Sequence, residues 1–299
     1  MRKTRIYTYI IAILIMPVPD IVRAQTGDIA MDFAALSSDP VEIGVGGVSS
    51  LKSLNGSSVR AGYMLYAPTD NPVTYMTLKS SYRLNENLSF FAEGLYGLCE
   101  IYEMFNQTGQ SSGIYKPGQA KVQIGAQYGF TRFMRAKIDF KWLNESIAPD
   151  AKYSALAVDV IFSGDFEVSQ KSDITIGAGI SNLGTKVKSL SGASFSLPAS
   201  ANVYAEYCRR FGTDNIINIL TELEYYLNGG PSIAAGTSYT YDDLITVRAG
   251  YRYGGKSIIP SYLSVGVGLK VLGVLFDFSY ILGNDTMTNT LAVSIGYAF

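Results

Sequence analysis

From residue 57 onward the chain is written in short runs in which large apolar residues alternate with small, polar or charged ones. The cleanest run is the last, with Leu291, Val293, Ile295, Tyr297 and Phe299 on one face and Ala292, Ser294, Gly296 and Ala298 on the other. A period of two belongs to an extended strand, whose successive side chains point to opposite faces. A second run sets Ala136, Ile138, Phe140 and Trp142 against Arg135, Lys137, Asp139 and Lys141. Four charges on one face and four apolar groups on the other fix which side meets water. Similar runs are centred on residues 59–65, 74–82, 90–96, 122–130, 156–162, 174–180, 201–207, 217–225, 233–241, 247–253, 263–269 and 274–280. Together they predict about 14 strands, an even number, as single-chain bacterial barrels require.

The connections obey a second regularity. Every other one is short: Asn85–Asn87, Thr131-Arg132, Gly164–Lys171, Gly212–Asn215, Asp242-Asp243 and Val271–Gly273. The long ones, Glu103–Pro117, Asn144–Tyr153 and Gly184–Ser196, all fall in the other class. Short turns at one end and longer loops at the other are what an outer-membrane barrel shows, with an apolar outer face toward lipid and a polar lumen. The expected fold is therefore all-β: an antiparallel transmembrane barrel over residues 57–299, with the outer-membrane lipid as its solvent.

The N-terminal residues fit that destination. Arg2, Lys3 and Arg5 precede an apolar run from Ile6 to Met16, and Val22-Arg23-Ala24 supplies small residues before a cleavage point. This reads as a signal peptide over 1–24; the apolar run is shorter than the roughly 20 residues a helical span needs. Residues 25–56, with Phe33, Ser37–Pro40 and the Gly-rich Gly44–Val48, are too many for a bare tail. They suit a plug-like segment in the barrel, the alternative being a flexible periplasmic leader. The Gly cluster lacks the Lys-Ser/Thr and the strand–helix context of a phosphate loop.

Facing each strand's apolar side outward collects an inward set of charges. It comprises Arg60, Lys79, Arg135, Lys137, Lys141, Arg248, Arg252 and Lys270 against Glu93, Asp139, Asp159, Glu206, Glu222, Glu224 and Asp277. The near balance predicts a luminal network of paired charges that closes the barrel; a water-filled transport path is the alternative.

Composition narrows the chemistry. The 299 residues include 30 Gly, 22 Tyr and 14 Phe, with 16% charged and a net charge of -1, which gives no electrostatic case for nucleic acid. No His is present, which removes His-based triads and dyads. Cys99 and Cys208 are the only thiols, too few for the usual cysteine zinc site. They phase toward opposite ends of their strands, so no disulfide is expected. Glu222 and Glu224 share a face, where a salt-bridged wall outweighs acid–base catalysis. No catalytic residue, metal or cofactor is expected.

Several segments resemble a known family. They are Ile180–Lys186, Leu197–Ala199, Val247–Tyr251, Gly266–Lys270, Phe276–Tyr280 and Asn289–Leu291, with weaker similarity over Ser38-Asp39 to Gly44–Val48. The likeness is to the PorV/PorQ group of type IX secretion outer-membrane proteins, themselves similar in fold to FadL-type 14-stranded barrels. The resemblance implies a non-enzymatic accessory or carrier, with type IX secretion components and cargo proteins as partners. FadL-like uptake of hydrophobic small molecules and a structural envelope scaffold are the alternatives. The run Leu291, Val293, Ile295, Tyr297, Phe299 also resembles the signal read by the barrel-insertion machinery, implying that machinery as a further partner.

Overall fold

A computed structural model describes residues 29–52, 56–66, 72–106, 108–189, 192–212, 214–254, 258–283, 287 and 289–299. The expected signal peptide and residues 25–28 lie outside the described residues.

The strands are β1 (Ser58–Tyr66), β2 (Val73–Arg83), β3 (Leu88–Leu98), β4 (Tyr102–Phe105), β5 (Ser111–Tyr115), β6 (Gly118–Gly129), β7 (Met134–Ala148), β8 (Ala151–Ser169) and β9 (Ser172–Gly184). There follow β10 (Val187–Lys188), β11 (Ser194–Phe195), β12 (Ser200–Phe211), β13 (Asn215–Tyr226), β14 (Gly230–Tyr241), β15 (Ile245–Tyr253), β16 (Tyr262–Val271), β17 (Val274–Gly283) and β18 (Thr290–Ala298). All but β4, β5, β10 and β11 form one closed antiparallel barrel of 14 strands, sealed by β18 against β1. Closure leaves no strand edge unpaired, which a bilayer demands because it offers the backbone no hydrogen-bond partners.

The outward face is the predicted one. Leu78, Ile124, Phe140, Leu156, Phe162, Val203, Val247, Phe276 and Ile295 stand exposed around the wall, an apolar belt that only lipid covers. Val293, Ile295 and Tyr297 extend that belt on β18 opposite β1, with Phe299 just past its end, while Leu291 is half-buried. At the short-turn end, Leu272 (φ 52°) and Gly273 (φ 84°) join β16 to β17 in the left-handed geometry a two-residue hairpin requires.

Two connections differ from expectation. Asn144–Tyr153 is not a long loop: β7 and β8 run on to Ala148 and Ala151 and turn through residues 149–150. Gly164–Lys171 is likewise mostly strand, because β8 and β9 continue to Ser169 and Ser172. Past the bilayer both faces of a hairpin meet water, so alternation fades while backbone pairing persists. The Glu103–Pro117 loop holds the β4–β5 hairpin, and residues 185–199 hold the β10–β11 pair. The longer connections mark the outer end of the barrel.

The N-terminal segment lies against the inner wall. At the outer end Ile29 bridges Ser196, and a 3-10 turn spans Asp32–Ala34. Helix α1 (Pro40–Ile43) follows, with Pro at its start and the Asp39 carboxylate accepting the Val41 N–H at 2.9 Å. The chain then turns through Gly44–Gly47 against β14, β15 and β16, sets Leu51 beside Ile161 and Tyr204, and pairs Lys52 with Asp173 of β9. The largest apolar cluster fills the outer half of the lumen. Met31, Phe33 and Ile43 of the segment meet Met64, Tyr75, Leu95, Leu143, Tyr262 and Ile281 of the wall, with Val187, Leu197 and Ile259 from the loops.

Candidate functional site

Charged residues forced inward by the strand period need partners, since an unpaired buried charge is costly. Along β2, β3, β6, β7 and β8 they find them on a neighbouring strand, on the same strand or on the N-terminal segment. Lys79 reaches Asp39 at 3.2 Å and Glu93 at 3.5 Å, and Glu93 also takes Lys121 at 2.8 Å. Lys137 pairs with Asp139 at 3.0 Å and Arg135 with Asp165 at 2.8 Å. Lys141 Nζ lies 2.6 Å from Asp159 and donates to Asn182 Oδ1 at 2.8 Å.

Asn182 sits in left-handed geometry (φ 55°) where the β8–β9 register shifts between Val158 and Val160. Its N–H donates to Asp159 at 2.7 Å and its amide to the Pro198 carbonyl at 3.3 Å. The Ile180–Lys186 and Leu197–Ala199 stretches singled out in the sequence thus meet at one bulge, built to hold Asp159 and Lys141.

The opposite wall is tied to the N-terminal segment. Arg252 donates through Nε to the Gly46 carbonyl, through one terminal nitrogen to Glu224 and Ser232, and through the other to Gly47 and Glu222, all at 3.1 Å. All five guanidinium donors are thereby used. Arg60 and Arg248 share Asp277 at 2.9 Å each, Glu206 accepts from Ser50 at 2.9 Å, and the Ser279 hydroxyl donates to the Pro40 carbonyl. A side chain at Gly236 or Gly250 would collide with the Val45 or Gly46 backbone, and one at Gly266 would meet the Ser279 hydroxyl with the Gly44 backbone close by; these wall glycines form the seat of the turn.

Between this segment and the barrel wall lies a cavity of about 470 Å³, bounded by β2–β8 on one side and by β12–β15 on the other. Its two sides differ chemically. The segment presents Leu36, Val41 and Val48 among the polar Ser37, Asp39, Glu42 and Ser50, whereas the β2–β8 wall presents the ion pairs together with Gln123 and Gln127 of β6.

Of the charges expected inside, Lys270 is at the rim: it pairs with Asp243 of the adjacent turn at 2.6 Å, and both are largely open to solvent. It is the penultimate residue of β16, beyond the enclosed part of the lumen. The other expected charges all take partners within the lumen. Nor do paired charges alone close the barrel, since they line it while the N-terminal segment occupies it and leaves the cavity. Lys121 escaped the sequence reading although it continues the alternation before Val122 and Gln123. Asp39, Ser50 and Lys52 had no periodic signal, because their roles depend on the path of an irregular segment.

Neither a family model nor a curated protein matches the chain. Solved structures do. The Ralstonia pickettii toluene transporter TbuX aligns over 89% of this chain and 99% of its own at 12% identity, with a TM-score of 0.55. The P. putida toluene transporter TodX aligns over the same shares at 14% identity and a TM-score of 0.56. At such identities the likeness is one of fold. The chain is an outer-membrane β-barrel that shares its fold with these two transporters.

Proposed function

We propose that this chain is a FadL-like outer-membrane uptake channel for small, largely apolar molecules, gated by its N-terminal segment. The division of the lumen carries this reading. An apolar layer built on Met31, Phe33 and Ile43 closes the outer half, and a cavity of about 470 Å³ lies beside the same segment. A solute that displaces this layer exchanges apolar contacts for apolar contacts, whereas a hydrated ion does not. The fold it shares with two toluene transporters supports the reading. Proteoliposomes containing the full chain are expected to take up labelled toluene faster than protein-free vesicles, and a variant carrying Phe33→Asp is expected to lose selectivity for toluene over glycerol. Equal toluene rates with and without protein overturn it.

A second reading, the accessory role in type IX secretion, rests on the family resemblance and on one surface. The β4–β5 hairpin at the outer end exposes Phe105 (62%) and Ile114 (74%), beside Ile101 and Ile147. Exposed apolar groups on an outer loop suit a protein partner. Co-purification of secretion components from native membranes, lost on Phe105→Ser with Ile114→Ser, is the outcome this reading requires.

A further inference from the structure

We propose that the cavity binds a neutral amphiphile, with its aliphatic part against Leu36, Val41 and Val48 and an uncharged hydrogen-bonding group at Gln123 and Gln127. The inference rests on the channel reading and specifies its substrate class.

Three observations lead there. The first is the pair of amides. Gln123 and Gln127 are 8% and 7% exposed and line the cavity. Neither side-chain amide makes a hydrogen bond to any described residue. Buried polar side chains are nearly always satisfied, so two amides on one face, four residues apart, offer donors and acceptors to whatever fills the cavity. Gly125 between them has no room for a side chain, because Phe91 and Asp139 from the flanking strands converge over it. The two amides therefore stand on either side of a filled patch.

The second observation is that the charges beside the two amides are spent. Gln123 lies in register between Glu93 and Lys141, and Gln127 beside Lys137. Glu93 is held by Lys79 and Lys121, Lys141 by Asp159, and Lys137 by Asp139. The Lys137 ammonium also lies 4.5 Å from the centre of the Phe91 ring. A charged group seated at these two amides has to compete with one of these pairs and leave a charge behind; a hydroxyl or amide group there breaks none. The third is the aliphatic side. Leu36 and Val41 are only partly buried and line the same cavity, so a purely polar ligand would leave them unused.

The test embeds the full chain in lipid nanodiscs and measures saturable binding of labelled hexyl glucoside, hexyl sulfate and hexyltrimethylammonium, corrected against empty nanodiscs. Hexyl glucoside is expected to half-saturate at about tenfold lower concentration than either charged analogue. Gln123→Ala with Gln127→Ala is expected to weaken its binding about tenfold, the effect of losing roughly 1.4 kcal/mol of hydrogen bonding. The preference of the unmodified protein needs no variant, so misfolding of the double variant leaves the test intact. Equal or better binding of a charged analogue overturns the proposal, as does hexyl glucoside binding that ignores both glutamines in a folded variant. If toluene uptake persists in that case, the channel reading survives; glucoside binding without toluene uptake leaves the site and removes the channel.

Discussion

Arg252 shows what a single residue does in this lumen. Its five donors join β13, β14 and β15 to the Gly46 and Gly47 carbonyls, so one side chain both bridges Glu222 and Glu224 and fastens the N-terminal segment. Arg252→Met leaves two carboxylates buried without their cation, a loss of about 3–5 kcal/mol. The expected outcome is a lowered unfolding midpoint in heat-modifiable electrophoresis. Asp39 has an acid-sensitive role. Burial opposes its charge, but Lys79, Arg60 and the Val41 N–H outweigh this and hold its carboxyl below the usual value of 3.8. A carboxylate with a depressed native pKa stabilises above its unfolded pKa and loses that contribution as pH falls through the native one. The contact of the segment with β2 is thus expected to persist at neutral pH and to weaken below about pH 3.8, whereas Asp39→Asn removes this acid step. Cys99, just past the end of β3, and Cys208 of β12 are free, with β6, β7, β8 and β9 between these two strands. Mass spectrometry of the denatured, unreduced protein is expected to find no cross-link between them.

At the level of elements, the seat of the Gly44–Gly47 turn separates barrel folding from segment docking. A Cβ at Gly250 would meet the Gly46 nitrogen and the Val45 backbone, neither of which can swing away. The β15 strand itself tolerates a side chain, since a strand backbone is open to any residue. Gly250→Val is therefore expected to assemble as a barrel but to release the segment. Lys52, paired with Asp173 in the native protein, then becomes a trypsin site. Limited trypsinolysis reads this directly: rapid cleavage after Lys52 in the variant and slow cleavage in the unmodified chain. Equal rates would mean that the turn is held by something other than its glycine seat.

For the whole molecule, closure has two separable parts, the wall and its filling. The wall closes where β18 meets β1 and the Phe299 N–H donates to the Ser57 carbonyl at 3.0 Å. The Phe299 ring lies 6.4 Å from that of Tyr297, nearly parallel, on the outward stripe. Phe299→Ser is expected to reduce the amount of heat-modifiable barrel in the outer membrane several-fold. The filling is the N-terminal segment with its apolar layer. Unmodified protein in planar bilayers is expected to show little steady conductance, and deletion of residues 29–52 to produce a stable open state.

The division between what sequence determined and what tertiary structure decided follows from the range of the interactions. Strand number, facing and the inward side of nearly every charge were legible because a bilayer imposes one rule, apolar out and polar in, at every second position of every strand. Lys141 and Asp159 face inward by alternation alone. That they meet, with Asn182 bulged between them, depends on the β8–β9 register shift, which has no periodic trace. Likewise Gly44–Gly47 announced a turn but not its seat, since Gly236, Gly250 and Gly266 come from three strands some 190–220 positions away in the chain. The cavity is the extreme case. Its aliphatic groups come largely from an irregular segment and its polar wall from strands on both sides of the barrel, so neither part alone describes it. Local periodicity set the wall; only the packing of a non-periodic segment against that wall decided what the lumen can hold.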